Sequence, residues 1–237
     1  MADRASGEGG SKQRRAEQVY QRLRADIFNA TLAPGQRLKF PDLCATYDIS
    51  VGVAREVLTR LAAERLVVSK AHQGYTVVEL SGDELADLTT ARVHIESLVF
   101  RESVLHGDAS WEAQVLAAHH LLSRTPLPTD VGSDAMQEWS RAHEAFHQSL
   151  LGGCPSRRLR ETAQTLRDEA ELYRRWAGPL GTEPDRDLAG EHKALADAAL
   201  ARDADRAATL LRDHIAHTTE ILISGVTAAS PGNGDGQ

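Results

Sequence analysis

The stretch SVGVAREVLTRLAAERLVVSKAHQGYTVV, residues 50–78, decides the fold of the N-terminal part of the chain. Ser50 is a favoured helix N-cap, and the apolar residues after it recur at helical spacing. Two short β-branched runs follow, at 66–69 and 75–78, around a turn that contains Gly74. The sequence therefore predicts a helix and then a β-hairpin. The expected buried stripe of the helix is Ala54, Val57, Leu58 and Leu61, and its opposite face carries Val51, Gly52, Arg55 and Thr59.

Two further helices are expected upstream of this stretch. Apolar residues recur at helical spacing over residues 14–30, and the turn TLAPG ends that helix. A short extended segment at 36–40 leads to DLCATY, a short second helix with Pro41 in its first turn. A helix, a short helix, a tight turn, a helix with an exposed polar face and a hairpin together form the plan of a winged helix-turn-helix.

Beyond residue 81 no segment has the pattern of a strand, and an antiparallel all-helical bundle is expected. Gly, Pro and Asp residues punctuate the breaks between its helices. The predicted fold is therefore mainly α, with a winged domain over 12–79, a bundle over 82–226 and disordered tails at 1–11 and 227–237. The expected bundle helices are 82–106, 110–123, 134–151, 155–176, 186–201 and 203–224.

Charge is distributed unevenly along the chain. The net charge of the 237 residues is −7, yet residues 12–70 carry 11 Lys and Arg against 6 Asp and Glu, a net of +5. A basic head on an acidic body is typical of a DNA-binding domain joined to a domain that does not bind DNA. No signal-peptide pattern and no long apolar run is present, so a cytoplasmic protein without membrane contact is expected. Cys44 and Cys154 are expected to be free thiols.

Residues 14–78 resemble the DNA-binding domain of the GntR family of bacterial transcriptional regulators. The resemblance rests on I-x-x-x-x-L-x-P-G-x-x-L over 27–38 and S-x-x-x-x-R-E-x-L-x-x-L over 50–61. It implies that the third helix enters the major groove and that the wing approaches the minor groove. Val51 and Gly52 replace polar residues common in the family, so fewer direct base contacts are expected. The residues implied to face DNA are Ser50, Val51, Gly52, Arg55, Lys70, His72, Gln73 and Gly74.

His143 and His147 are four residues apart and share one helix face, which is how a helix presents two imidazoles to one metal ion. Such a pair alone is weak evidence, and solvated or packed histidines are the leading alternative. A resemblance to the FadR-type, or FCD, C-terminal domain of the same family adds to this evidence. It covers residues 81–221 and rests on R-x-x-x-E at 92–96, H-x-x-F-H at 143–147, GEHKAL at 190–195 and LLRDHI at 210–215.

This second resemblance implies a divalent cation at the floor of an effector cavity. Its ligands would be His143, His147, His192 and His214, with His143 at a position where many relatives carry Asp. Four imidazoles favour zinc, or alternatively nickel, over magnesium or calcium. His217 is an alternative ligand or an outer partner, and it is expected to point away.

Arg92 is the expected effector-binding residue, because a guanidinium beside a metal ion suits a carboxylate. The alternative is that Arg92 only pairs with Glu96 at helical spacing. Trp139, Tyr173 and Arg175 are further candidates for the pocket.

The sequence thus predicts a homodimeric regulator, a repressor in the commonest family behaviour, that binds a palindromic operator and responds to a small organic acid. No catalytic residues are expected. One alternative is a metal-responsive repressor in which the ion itself is the signal. Another is an all-α metalloenzyme, which would leave the winged domain unexplained.

Overall fold

The computed structural model describes residues 5–70, 74–128, 133–177, 183 and 185–229. The chain divides into two compact units, the first ending at Leu80 and the second beginning at Ser81. The described residues are mainly helical, with one small sheet in the first unit. The predicted fold class, a winged helix-turn-helix followed by a helical bundle, is confirmed.

In the first unit, the described residues form three helices and a three-stranded antiparallel sheet in the order β1-β3-β2. Strand β1 pairs with β3, so that Arg37 lies opposite Thr76 and Leu38 opposite Tyr75. The sequence pattern predicted only an extended segment here, because two residues are too few to show the alternation of a strand. The elements are α1 (Ala5–Phe28), β1 (Arg37–Leu38), α2 (Phe40–Tyr47), α3 (Val51–Ala63), β2 (Val67–Lys70) and β3 (Gly74–Val77).

The core of the first unit is formed by the apolar faces of α1 and α3. Leu23 and Ile27 of α1 are fully buried, and so is the predicted stripe of α3. Helix α1 begins at Ala5, inside the segment whose composition predicts a tail, whereas residues 1–4 lie outside the described residues. Once a helix is nucleated, each added residue gains a hydrogen bond, so helical backbone extends beyond the apolar pattern.

Turn chemistry connects these elements as the motifs suggest. The Ser50 hydroxyl accepts a hydrogen bond from the Val53 amide at 3.4 Å, which caps α3. Gly35 has φ +73°, in the left-handed region that suits glycine, and its amide donates to the Val77 carbonyl at 3.2 Å. The Pro-Gly turn of the first motif therefore brings β1 beside β3.

The described residues of the second unit form six helices. Helix α4 packs against α7 and α9, while α5 packs against α6 and α8. Phe100 and Phe146 are fully buried at the centre of this core. All six predicted helices are present, and α9 extends five residues beyond its predicted end. The helices are α4 (Gly82–His106), α5 (Ala109–Arg124), α6 (Asp134–Leu151), α7 (Arg157–Ala177), α8 (Leu188–Leu200) and α9 (Ala204–Ala229).

Two expectations about bulk properties concern the described residues directly. Cys44 and Cys154 are free thiols, and Cys154 is buried where α6 gives way to α7. None of the described helices has the length and apolar composition that crossing a membrane requires. The expected C-terminal tail is helical up to Ala229, and residues 230–237 lie outside the described residues.

Candidate functional site

Four histidines from three helices meet inside the second unit. His143 and His147 come from α6, His192 from α8 and His214 from α9. One ring nitrogen of each lies within 4.8 Å of the corresponding nitrogen of the others. His143 retains some exposure, whereas the other three side chains are buried. The bundle therefore brings together the four residues that the family resemblance implies as ligands.

One pair of donors in this histidine cluster has the separation that a tetrahedral divalent ion requires. His147 Nε2 and His192 Nε2 are 3.3 Å apart. Zn–N distances of about 2.0–2.1 Å in a regular tetrahedron place neighbouring nitrogens about 3.3 Å apart. The described residues could thus hold a metal ion without a large rearrangement of this pair.

The protonation state of the cluster also suits a cation. Burial lowers the pKa of His143 and His147 well below the ordinary value of 6.5. Burial lowers the pKa of His192 to about 3. It also lowers the pKa of His214, although a hydrogen bond with Glu191 acts in the opposite direction. All four imidazoles are therefore neutral at neutral pH, and each can offer a nitrogen lone pair.

We expect the metal-free protein to lose stability as the pH falls below about 6.5. A histidine of the unfolded chain binds a proton near pH 6.5, whereas the folded cluster stays neutral at that pH. His192, for example, is protonated in the folded protein only near pH 3. Acid therefore favours the unfolded state, by up to about 1.4 kcal/mol per pH unit for each such imidazole. Urea unfolding at several pH values between 7.5 and 5.5 measures the slope of the free energy of unfolding against pH. His192→Gln should reduce the slope and the exposed His94→Gln should not, and equal slopes for wild type and His192→Gln would contradict the expectation.

A carboxylate fixes one imidazole of the cluster from outside. Glu191 Oε2 accepts a hydrogen bond from His214 Nδ1 at 2.7 Å. Arg186 holds the same carboxylate through Nε and Nη2, at 2.7 and 2.6 Å. Burial raises the pKa of Glu191, but the hydrogen bonds from Arg186 and His214 lower it by a larger amount. The net pKa is below the ordinary value, so the carboxyl group is ionised. A proton on Nδ1 leaves the Nε2 lone pair of His214 free for a metal ion.

Aromatic rings orient the other imidazoles. Trp139, one of the predicted pocket residues, stacks on His143 with ring centroids 4.7 Å apart. The Arg174 guanidinium lies 5.1 Å from the centroid of the Trp139 ring on the same stack. Phe146 meets both His147 and His192 edge-on at 5.4 Å. These contacts restrict rotation of the rings, so the donor nitrogens are held in place before any ion binds.

Arg92 pairs with Glu96, as the alternative interpretation of the motif requires. Arg92 Nε donates to Glu96 Oε1 at 2.6 Å, and Arg167 of α7 donates to Glu96 Oε2 at 3.1 Å. Arg92 also lies close to the cluster, because its charge adds to burial in lowering the pKa of His214. Sequence analysis found Arg92 and Glu96 but missed Arg167, which is 71 residues away from Glu96 along the chain.

The remaining candidates have partners outside the histidine cluster. His217 Nε2 donates to Glu183 Oε2 at 2.6 Å. Arg175 Nε donates to Glu171 Oε1 at 2.7 Å. Tyr173 is buried, and burial raises its pKa. Sequence analysis also missed Glu191 as a partner of His214, although its position beside His192 in GEHKAL was visible.

The exposed face of α3 carries the residues implied to contact DNA. Val51 is 50% exposed, and Gly52 and Arg55 are exposed as well. The Arg55 guanidinium lies 5.1 Å from the Phe40 ring centroid, and Phe40 meets Tyr75 of the wing edge-on at 6.3 Å. Arg55 thus lies exposed on α3 over a ring of α2, which in turn contacts Tyr75 of β3.

Part of the predicted wing contact is described. Lys70 and Gly74 face each other at the end of the hairpin, and Gly74 has φ +85°. His72 and Gln73, which were also predicted to face DNA, lie outside the described residues. Ser50 caps α3.

Family comparisons agree with both units. Residues 15–77 match the bacterial regulatory proteins of the gntR family, and residues 87–217 match the FCD domain. This chain belongs to the GntR family of transcriptional regulators. Members of the matching families are DNA-binding regulators and not enzymes, so this GntR regulator is a DNA-binding protein of the same class.

Two relatives extend the similarity over most of the chain. The HTH-type transcriptional regulator BphR of Paraburkholderia xenovorans (strain LB400) is 38% identical over 213 residues, 87% of this chain and 84% of BphR. The HTH-type transcriptional repressor GlaR of Escherichia coli (strain K12) is 36% identical over 199 residues, 83% of this chain and 90% of GlaR. The similarity therefore includes both the winged unit and the FCD domain of this GntR regulator.

Solved structures share the fold of this GntR regulator. A crystal structure of a GntR transcriptional regulator from Rhodococcus sp. RHA1 has a TM-score of 0.68 at 24% identity, covering 92% of this chain and 99% of that one. McbR/YncC of E. coli has a TM-score of 0.68 at 18% identity, covering 88% and 96%. At these identities the likeness concerns the fold alone.

Proposed function

We propose that this GntR regulator represses transcription by binding a palindromic operator as a homodimer, and that a small carboxylate effector at a metal-containing pocket relieves the repression. The observation that supports it best is the convergence of four neutral imidazoles inside the FCD domain. The printed name of the relative GlaR, a transcriptional repressor, supports the sign of regulation.

The proposed DNA contacts lie in the winged domain, residues 12–79. The N-terminal part of α3 would enter the major groove, where Arg55 can bind a phosphate or the O6 and N7 edge of guanine. Lys70, His72, Gln73 and Gly74 would follow the backbone or the minor groove from the wing, and Ser50, Val51 and Gly52 would line the entry of the helix. A dimer would place two such helices on two half-sites.

The proposed metal ligands are His143, His147, His192 and His214, with zinc favoured over nickel. A bound ion would supply positive charge and a coordination position for a ligand oxygen. The protein would contribute the rest, because Glu191 orients His214 and Trp139 orients His143. The pocket would belong to a domain spanning residues 82–226.

Charge around the cluster favours an anionic effector. Arg92 and Arg167 share the carboxylate of Glu96, which leaves one positive charge in excess. The Arg174 guanidinium lies over the Trp139 ring that stacks on His143. A carboxylate would be attracted by these guanidiniums and by the metal ion, and binding could then shift the population of dimer poses that fit the operator.

A second candidate is a metal-responsive repressor, in which the ion is the signal. The same histidine cluster supports it, since four buried donors form a site without requiring an organic ligand. It predicts that DNA affinity follows the free zinc or nickel concentration when no carboxylate is present.

One set of measurements tests both candidates. Native mass spectrometry of the full chain should show a dimer with about one zinc ion per chain, the occupancy expected for one four-nitrogen site. DNA fragments selected from a random pool by the zinc-loaded protein should contain an inverted repeat and bind with a strong salt dependence. Millimolar carboxylates should then release the fragments.

The outcomes separate the candidates. Release by a carboxylate at constant zinc supports the effector-responsive repressor. Release by chelators alone supports the metal-responsive repressor. Selected DNA without an inverted repeat would contradict the dimeric operator complex, and a protein that takes up no zinc or nickel would contradict both candidates.

A further inference from the structure

A buried ionic cluster of Arg92, Glu96 and Arg167 joins α4 to α7 beside the histidines. Glu96 is fully buried, and the side chains of Arg92 and Arg167 are only 12% and 10% exposed. Each Glu96 oxygen accepts from one guanidinium, at 2.6 Å from Arg92 Nε and 3.1 Å from Arg167 Nη1. The Nε–H of Arg167 is buried and has no hydrogen-bond partner among the described residues.

This ionic cluster has an excess of positive charge. Two guanidiniums and one carboxylate leave a net charge of +1 in a place that excludes most water, and a guanidinium cannot lose its proton. A buried donor without a partner also costs free energy. An anion with a planar pair of oxygens would satisfy both requirements, since it neutralises the charge and accepts from the Nε–H.

The position of the ionic cluster connects it with the histidines. Arg167 lies two helical turns before Arg174 on α7, and the Arg174 guanidinium lies over the Trp139 ring that stacks on His143. On α4, Thr89 lies one turn before Arg92, and its hydroxyl is 2.7 Å from that of Thr219, which follows His214 by five residues on α9. The two guanidiniums thus lie near different members of the histidine cluster, and Arg167 is near the α6 pair.

We infer that Arg167 is an effector-binding residue, and that its buried Nε–H donates to the carboxylate of the small-molecule ligand. Arg92 and Glu96 hold Arg167 in place and supply additional positive charge. This inference rests on the proposed function, because it concerns the carboxylate proposed there. It assigns the direct contact to a residue of α7, which sequence analysis did not find.

A purely structural role for Arg167 predicts different behaviour. An arginine that only neutralises Glu96 can be replaced by lysine, which keeps the charge and can still donate to Glu96. Lysine ends in a single ammonium group and has neither the Nε–H nor the planar guanidinium of arginine. It therefore cannot reproduce the contact with a ligand carboxylate. Arg167→Lys therefore separates the two roles, and Arg167→Gln adds the loss of charge.

The test uses zinc-loaded full-length protein and two probes, acetate and succinate. Binding is measured by calorimetry and by the shift of the unfolding temperature for wild type, Arg167→Lys, Arg167→Gln and Arg158→Gln. Arg158 is exposed on the same helix, so Arg158→Gln is a matched control for charge. Zinc affinity of every variant is measured separately by competition with a chromogenic chelator.

We expect both Arg167 variants to weaken binding of the tighter probe by about tenfold or more, which is the loss of a charge-assisted hydrogen bond. Zinc affinity and cooperative unfolding should stay close to wild type in Arg167→Lys, and Arg158→Gln should bind like wild type. Wild-type affinity in Arg167→Lys would overturn the inference and leave the proposed function standing. A wild type that binds zinc but neither probe would overturn the inference together with the carboxylate part of the proposed function. If wild type takes up no zinc, the metal proposal fails, and the same titrations of metal-free protein decide the inference.

Discussion

His147→Ala is expected to abolish tight zinc binding while the protein still folds and binds DNA. His147 Nε2 lies 3.3 Å from His192 Nε2, and its loss removes one of four converging nitrogens. Changing an outer partner of a metal ligand typically costs 10–100-fold in affinity, so losing a ligand should cost at least about 100-fold.

Chelator competition measures this loss directly, and thermal unfolding measures its consequence. At a free zinc concentration of about 1,000 times Kd, zinc binding stabilises a folded protein by about 4 kcal/mol. Wild type should show a stabilisation of this size, and a variant that binds at least 100-fold more weakly should show about 1.4 kcal/mol or less at the same free zinc concentration.

The matched control for this experiment is His94→Ala. His94 is exposed on α4 of the same domain, where its Nδ1 lies 2.7 Å from the Thr90 carbonyl oxygen. Its removal should leave zinc affinity unchanged. Tight zinc binding that survives in His147→Ala would show that the ion binds elsewhere, and the proposed ligand set would be wrong.

Arg55→Ala is expected to weaken sequence-selective DNA binding by about 1–3 kcal/mol, equal to about 5–150-fold, if the guanidinium contacts a guanine edge. Arg55 is exposed on α3, and its stack on Phe40 limits the conformations that it loses on binding. The measurement is fluorescence anisotropy on a selected operator fragment and on a scrambled fragment of equal length.

Two further variants show what kind of contact Arg55 makes. Arg55→Lys keeps the positive charge but lacks the planar guanidinium with its paired N–H donors. It should therefore retain salt-dependent binding to both fragments and lose the preference for the operator fragment over the scrambled one. Arg101→Ala removes the same charge in the second unit, where Arg101 pairs with Asp205, and should bind like wild type. Equal weakening on both fragments in Arg55→Ala, with Arg55→Lys close to wild type, would indicate a phosphate contact.

The sequence by itself determined the elements and the family. The buried stripe of α3 follows from the spacing of its apolar residues, and Ser50 is the N-cap of this helix as its residue type predicts. These features depend on residues three or four apart, whose interaction is settled within one helical turn. The four cluster histidines were found through motifs that the family resemblance made visible, because each motif lies within one helix.

The tertiary structure decided the contacts between helices. Arg167 meets Glu96 across α7 and α4, and Glu191 of α8 holds His214 of α9. Strand β1, two residues long, exists because β3 pairs with it. No local sequence pattern predicts such contacts, since they depend on how each helix or strand packs against its neighbours. The orientation of the ligands and the excess of buried positive charge therefore came from packing, whereas the helices that carry them came from local periodicity.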